Sequence, residues 1–85
     1  MNQHFASLIL GLAAQADSAL DGQLPPGAAE AGASNSRQFA QALIDTLSAL
    51  EEKTRGNLEL DEARLLEATL TNLRFKFVSG PGQGN

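Results

Sequence analysis

The sequence predicts an all-α fold, in which a helical hairpin with helices at about 36–55 and 61–78 is joined to an apolar N-terminal helix at about 4–20. Two observations support this prediction. Apolar residues recur every three or four positions in all three segments, which is the spacing of an amphipathic helix. The segment from Glu51 to Leu58 also combines the signals that end one helix with those that begin another.

The N-terminal segment is apolar around most of its circumference. Its main stripe contains Phe5, Leu8, Ile9, Leu12, Ala16 and Leu20. Other sides carry Ala6, Leu10, Ala13, Ala14 and Ala19. A helix of this kind is normally buried on several faces, and a chain of 85 residues is too short to surround it. We therefore expect this helix to pack on a hairpin, either its own or that of a neighbouring subunit, and also to contact a second molecule. The expected interface contains Phe5, Leu8, Ile9, Leu10, Leu12, Ala13 and Ala14.

The second segment has well-marked ends. Either Asn35 or Ser36 is placed to accept a hydrogen bond from the free N–H groups of the first turn. An apolar stripe follows, with Phe39, Leu43, Leu47 and Leu50. Lys53 and Arg55 fall in the last turn, where the helix dipole is negative, and Gly56 can adopt the left-handed conformation that closes a helix.

A short connection leads into the third segment, and we expect the hairpin turn to depend on Gly56, Asn57, Leu60 and Asp61. Asp61 is the predicted N-cap, with Glu62 facing the positive end of the helix dipole. Leu60 is placed to pack against Leu65 as a hydrophobic staple. So short a connection between two periodic segments predicts antiparallel neighbours.

Composition predicts one small domain over residues 1–78. All three prolines and most glycines fall in 21–35, which we expect to be a flexible loop, and in 79–85, which we expect to be a disordered tail. The chain has no cysteine and only one histidine, so neither disulfides nor a structural zinc ion can supplement its core. Oligomerisation is the stabiliser that remains.

Charge and hydropathy limit the cellular locations and the kinds of binding partner that we expect. The apolar run from Phe5 to Ala14 resembles part of a signal peptide, but no Lys or Arg precedes it, and it is shorter than the about 20 apolar residues that span a membrane. We therefore expect a cytoplasmic protein that does not cross a membrane. The net charge of −4 argues against general nucleic-acid binding. An alternative partner is RNA or the ribosome, through the basic residues Arg64, Arg74 and Lys76.

No residue pattern indicates catalysis, a cofactor, a metal ion or a small-molecule substrate. The single histidine, His4, stands at a helix end without a catalytic partner in the sequence, and Ser7 lacks the context of a nucleophile. The acidic residues Glu59, Asp61 and Glu62 do not match a calcium loop. We therefore expect no enzyme, but a protein interaction or assembly module that acts as a homo-oligomer, with a dimer favoured, or with another protein.

Three stretches carry a resemblance to a known family, together with Glu62, Leu65 to Glu67, Leu70, Leu73 and Arg74. They are Phe5 to Ala13, Ile44 to Leu47 and Glu52 to Leu58. Through them the chain resembles the small bacterial proteins catalogued as domain of unknown function 1844. It departs from that pattern at Phe77, where a Tyr is usual, and in the Ala- and Gly-rich stretch 27–33. The resemblance implies an all-helical fold and a retained N-terminus, and it implies no activity because none is assigned to the family.

Overall fold

Three α-helices form the part of the chain that the structure, a computed structural model, describes: residues 1–23 and 35–79. They are α1 (Gln3–Leu20), α2 (Ser36–Lys53) and α3 (Leu60–Ser79). The described residues include no strand, so the prediction of an all-α fold is confirmed. The predicted loop 21–35 and tail 79–85 fall largely on 24–34 and 80–85, which lie outside the described residues.

The helices α2 and α3 form the predicted antiparallel hairpin. The guanidinium of Arg37 at the start of α2 lies 3.9 Å from the ring centroid of Phe77 near the end of α3, and it donates a hydrogen bond to the Phe77 carbonyl oxygen. The helix α1 runs in the same direction as α3, because Asn2 contacts Glu62 at one end and Asp17 pairs with Lys76 at the other. Helix α1 therefore packs on its own hairpin, an arrangement that the sequence left undecided.

All three helices contribute to one apolar core. Its buried residues are Ile9, Ala16, Ala19, Leu20, Ala40, Leu43, Ile44, Leu47, Leu66, Leu70 and Leu73. Three of these residues are alanines, and the other eight are leucines or isoleucines. A core of this size provides only a small margin of stability to a single chain.

Capping residues fix the first two helix starts and the end of α1. The side-chain oxygen of Asn2 accepts the Phe5 N–H at 2.9 Å, and that of Asn35 accepts the Gln38 N–H at 2.7 Å. Asn35 is thus the cap of α2, one of the two candidates in the sequence. At the end of α1, Gly22 has φ +95° and its N–H bonds the Ala19 carbonyl oxygen, which is part of a Schellman motif.

The end of α2 comes two residues earlier than predicted. The helix ends at Lys53, and the C-cap Thr54 donates its N–H to the Leu50 carbonyl oxygen at 3.0 Å. Arg55 therefore lies outside the helix. The chain then turns through a hydrogen bond from the Asn57 N–H to the Thr54 carbonyl oxygen, with Gly56 at φ +86°. Gly56 is left-handed as predicted. It lies within this turn, however, and not directly after the C-cap residue Thr54.

The start of α3 also differs from the prediction. The helix begins at Leu60, and the carbonyl oxygen of Glu59 accepts the first helical bond from the Ala63 N–H. Glu59 is therefore the N-cap residue, and Asp61 lies in the first turn instead. The predicted staple is wrong, because Leu60 is 66% exposed and Leu58 is the apolar residue that packs against the core.

Candidate functional site

The inner side of α1 is committed to the chain's own core. Ile9 is fully buried there, so it cannot also contact a second molecule as the sequence suggested. Phe5, Leu12 and Ala13 are partly buried and pack against the same core. Ile9 is buried within its own chain because the hairpin presents enough apolar surface to cover one side of α1.

The outer side of α1 exposes two leucines that do not belong to one surface. Leu8 is 46% exposed and Leu10 is 55% exposed. Residues two apart on a helix do not face each other, so these two side chains project from different sides. The predicted interface residues therefore separate into a core set and two exposed edges.

Leu10 borders a shallow groove of about 300 Å³ between α1 and α3. The groove is lined by Leu10, Ala13, Ala14 and Asp17 from α1, and by Thr69, Asn72 and Leu73 from α3. Thr69 and Asn72 line the groove, and neither side chain makes a hydrogen bond to another described residue. We call this surface the α1–α3 groove.

The sequence did not associate α3 residues with this surface. Thr69, Asn72 and Lys76 recur at three- and four-residue spacing and therefore share one side of α3. That spacing indicates a shared side of α3 in the sequence. Only the parallel packing of α1 on α3 shows that Leu10 and Ala14 lie beside this side of α3.

The outer side of α1 carries almost no charge. Asp17 is the first Asp, Glu, Lys or Arg in the chain. Ser7, Gly11 and Ala14 are exposed small residues on this side. A Cβ added at Gly11 would meet nothing within 4 Å, so the described fold does not require glycine there.

The predicted basic contact residues do not form a free cationic cluster. Lys76 pairs with Asp17 and lies 3.5 Å from a carboxylate oxygen of Asp21, and the hydrogen bond that its ammonium donates to the Asp17 carboxylate is the main cause of its raised pKa. Arg74 donates to the Ser48 hydroxyl at 3.2 Å. Arg64 is exposed at the opposite end of α3.

A polar cluster joins the start of α1 to the start of α3. One carboxylate oxygen of Glu62 accepts the Asn2 N–H at 2.6 Å, and the other accepts the Glu59 N–H at 2.8 Å. These two backbone donors, with that of Asn2 contributing most, hold the pKa of Glu62 below its ordinary value. The Met1 ammonium lies 2.7 Å from Glu59 and 3.5 Å from Asp61, and the Glu59 hydrogen bond raises the pKa of that amine.

A second depression, of about 380 Å³, lies at the hairpin turn. Of the predicted turn residues, Gly56 and Leu60 line it, while Asn57 and Asp61 do not. Its apolar wall includes Leu58 and Leu66. Its charged residues are balanced, namely Glu51, Arg55, Arg64 and Glu67.

The described residues offer no group of three or more His, Cys, Asp or Glu side chains arranged to hold a metal ion. Within the same part of the chain, no helix has the length and apolar character that a membrane crossing requires.

Comparison with known proteins identifies the family but no individual relative. Neither the curated proteins nor the solved structures gave a match. The family model described as Domain of unknown function (DUF1844) matches residues 2–79, which includes all three helices. The chain therefore belongs to the DUF1844 family.

Proposed function

We propose that this protein is a non-enzymatic interaction module that assembles with a second copy of itself through the α1–α3 groove. The observation that carries the proposal is Leu10, a large apolar side chain that is 55% exposed within an almost uncharged surface. The cytoplasmic location expected from the sequence remains part of the proposal.

The small core is the reason why dimerisation would stabilise this protein. Full burial of a leucine side chain contributes about 1.5–3 kcal/mol. A two-fold dimer would gain part of that amount twice, once from each Leu10. Domains whose own core is marginal are commonly completed by oligomerisation.

The charge pattern favours a second copy over a charged partner. In a two-fold dimer each surface meets itself, so like charges at its centre would oppose one another. On the α1 side the α1–α3 groove is lined by Leu10, Ala13, Ala14 and Asp17, and Asp17 is its one charged lining residue among the described residues. A strongly charged partner would find no opposite charge there apart from Asp17, which already pairs with Lys76.

The acidic residues support a non-enzymatic role because they make structural contacts. Glu62 accepts two backbone N–H groups, and Asp17 and Asp21 hold Lys76. The same ion pairs reduce the free positive charge at the end of α3. No contact among the described residues therefore favours the alternative of binding to RNA or the ribosome.

A pair of substitutions tests the proposed surface. Leu10→Glu places a charge at the centre of the surface, where it would lose water on dimerisation, so we expect a monomer. Leu8→Glu introduces the same charge on another side of α1 and should leave the dimer intact. Sedimentation velocity at micromolar concentration measures the mass, and far-ultraviolet circular dichroism checks that both variants remain helical.

Two outcomes would overturn the proposal. A Leu10→Glu protein that stays dimeric would show that the contact lies elsewhere. An unmodified protein that sediments as a folded monomer would remove the dimer altogether.

A further inference from the structure

We propose that the two copies pack α1 against α1 in antiparallel orientation, with the two-fold axis near Leu10 and Gly11 and with each Leu10 seated in the other copy's α1–α3 groove. This inference rests on the proposed function, to which it adds the orientation and register of the contact.

The close approach of two backbones accounts for Gly11. Glycine in the interior of a helix is destabilising relative to alanine. Nothing in the described chain lies within 4 Å of a Cβ built at Gly11, so its own fold gives no reason for this cost. A second α1 that crosses at Gly11 gives a reason for glycine there, because its backbone can approach closely where the exposed neighbours Ser7 and Ala14 are also small.

The groove beside this crossing can receive a leucine. Leu10 lies on its border, next to Ala13 and Ala14, and the exposed part of its side chain points away from its own core. A two-fold axis near residue 10 brings each Leu10 over the opposite copy's groove. The side chains of Thr69 and Asn72 lie at that groove's far side and can hydrogen-bond across the contact.

The one charged side chain of α1, which pairs with Lys76, favours one orientation of the two copies. Asp17 is the only charged residue between Gln3 and Leu20, apart from the ionisable His4. Parallel packing in register would place Asp17 against the same carboxylate of the second copy, which is repulsive. Antiparallel packing separates the two carboxylates and places each opposite His4, at the positive end of the other helix's dipole. It also aligns the two helix dipoles in opposite directions.

Disulfide trapping can measure this register because the chain has no cysteine. With the axis between residues 10 and 11, Ser7 of one copy lies opposite Ala14 of the other. Two proteins, Ser7→Cys and Ala14→Cys, are mixed in equal amounts and oxidised, and non-reducing electrophoresis measures the covalent dimer. Random pairing makes about half of the dimers mixed, so about half should become cross-linked.

Each variant oxidised alone should give little cross-linking. Identical positions then lie about 10 Å apart along the helix axis, from seven residues at 1.5 Å each. That separation exceeds the Cα distance that a disulfide can bridge. Thr46→Cys, at an exposed position on α2, is the matched control and should not cross-link. Gln3→Cys with Ser18→Cys is a second opposed pair, used if the first pair fails to dimerise when reduced.

The outcomes separate this inference from the proposed function. Cross-linking of each variant alone, with no gain on mixing, would mean parallel helices and would overturn the inference while the dimer stands. Reduced variants that light scattering shows to be dimers, but whose opposed pairs do not cross-link, would also overturn it. Monomers of both the variants and the unmodified chain would overturn both proposals.

Discussion

Glu62 connects two helix starts at the scale of a single residue. It caps α3 by accepting the Glu59 N–H, and it also accepts the Asn2 N–H from a position 60 residues earlier in the chain. The sequence placed Glu62 correctly in the first turn of α3, because acidic residues are favoured at that end of a helix. It could not reveal Asn2, since no local pattern links residues so far apart.

Protonation of Glu62 should destabilise the fold. Its pKa in the folded chain lies below the ordinary value of 4.5, so the folded state favours the charged form. The stabilisation is complete above 4.5 and is lost as the pH falls through the folded pKa. Urea unfolding between about pH 7 and about pH 3 should therefore show a steeper loss for the unmodified chain than for Glu62→Gln. Equal slopes would mean that the carboxylate does not cap α3.

Gly56 should tolerate an L-amino acid poorly. Its φ of +86° lies in the left-handed region, which a Cβ disfavours by about 1–2 kcal/mol. We expect Gly56→Ala to lower the free energy of unfolding by about that amount. Gly56→Asn is the control and should cost less, because asparagine tolerates this conformation better. An unchanged unfolding midpoint for Gly56→Ala would contradict the turn geometry.

The helical periodicity of the sequence predicted the positions of the three helices well. It could not predict which of their sides contact one another, because periodicity carries no information about how helices pack. The extents of α1, α2 and α3 agree with the predicted segments to within two residues. The choice of buried side was clear for α2, which has one apolar stripe. It was unclear for α1, where apolar residues surround the helix and only the shape of the hairpin selects Ile9 for burial and leaves Leu10 exposed.

Substitutions at neighbouring positions of α1 should separate core packing from surface exposure. Ile9 is fully buried, so Ile9→Ala should lower the free energy of unfolding by about 2–5 kcal/mol. Leu8→Ala should change it by only about 0.5 kcal/mol, since Leu8 is half-exposed. Urea unfolding measured at one protein concentration gives both values. Similar losses at the two positions would contradict the packing of α1 on the hairpin.

At the scale of the whole molecule, the prediction of a partner came from size and composition rather than from any motif. The Glu52 to Leu58 signature proved to be the end of α2 and the turn that follows, with Gly56 at its left-handed position. The candidate site lies instead between α1 and α3, where Leu10 is exposed beside Thr69 and Asn72. Sequence reasoning named Leu10 and Ala14, but it could not assemble the groove without the packing of the two helices.

The mass of the unmodified protein in solution tests the self-assembly proposal directly. Size-exclusion chromatography with light scattering, from micromolar concentration downward, should give twice the chain mass of 8.9 kDa, with a decrease only on strong dilution. A single species of 8.9 kDa that is helical and unfolds cooperatively at every concentration would contradict the proposal.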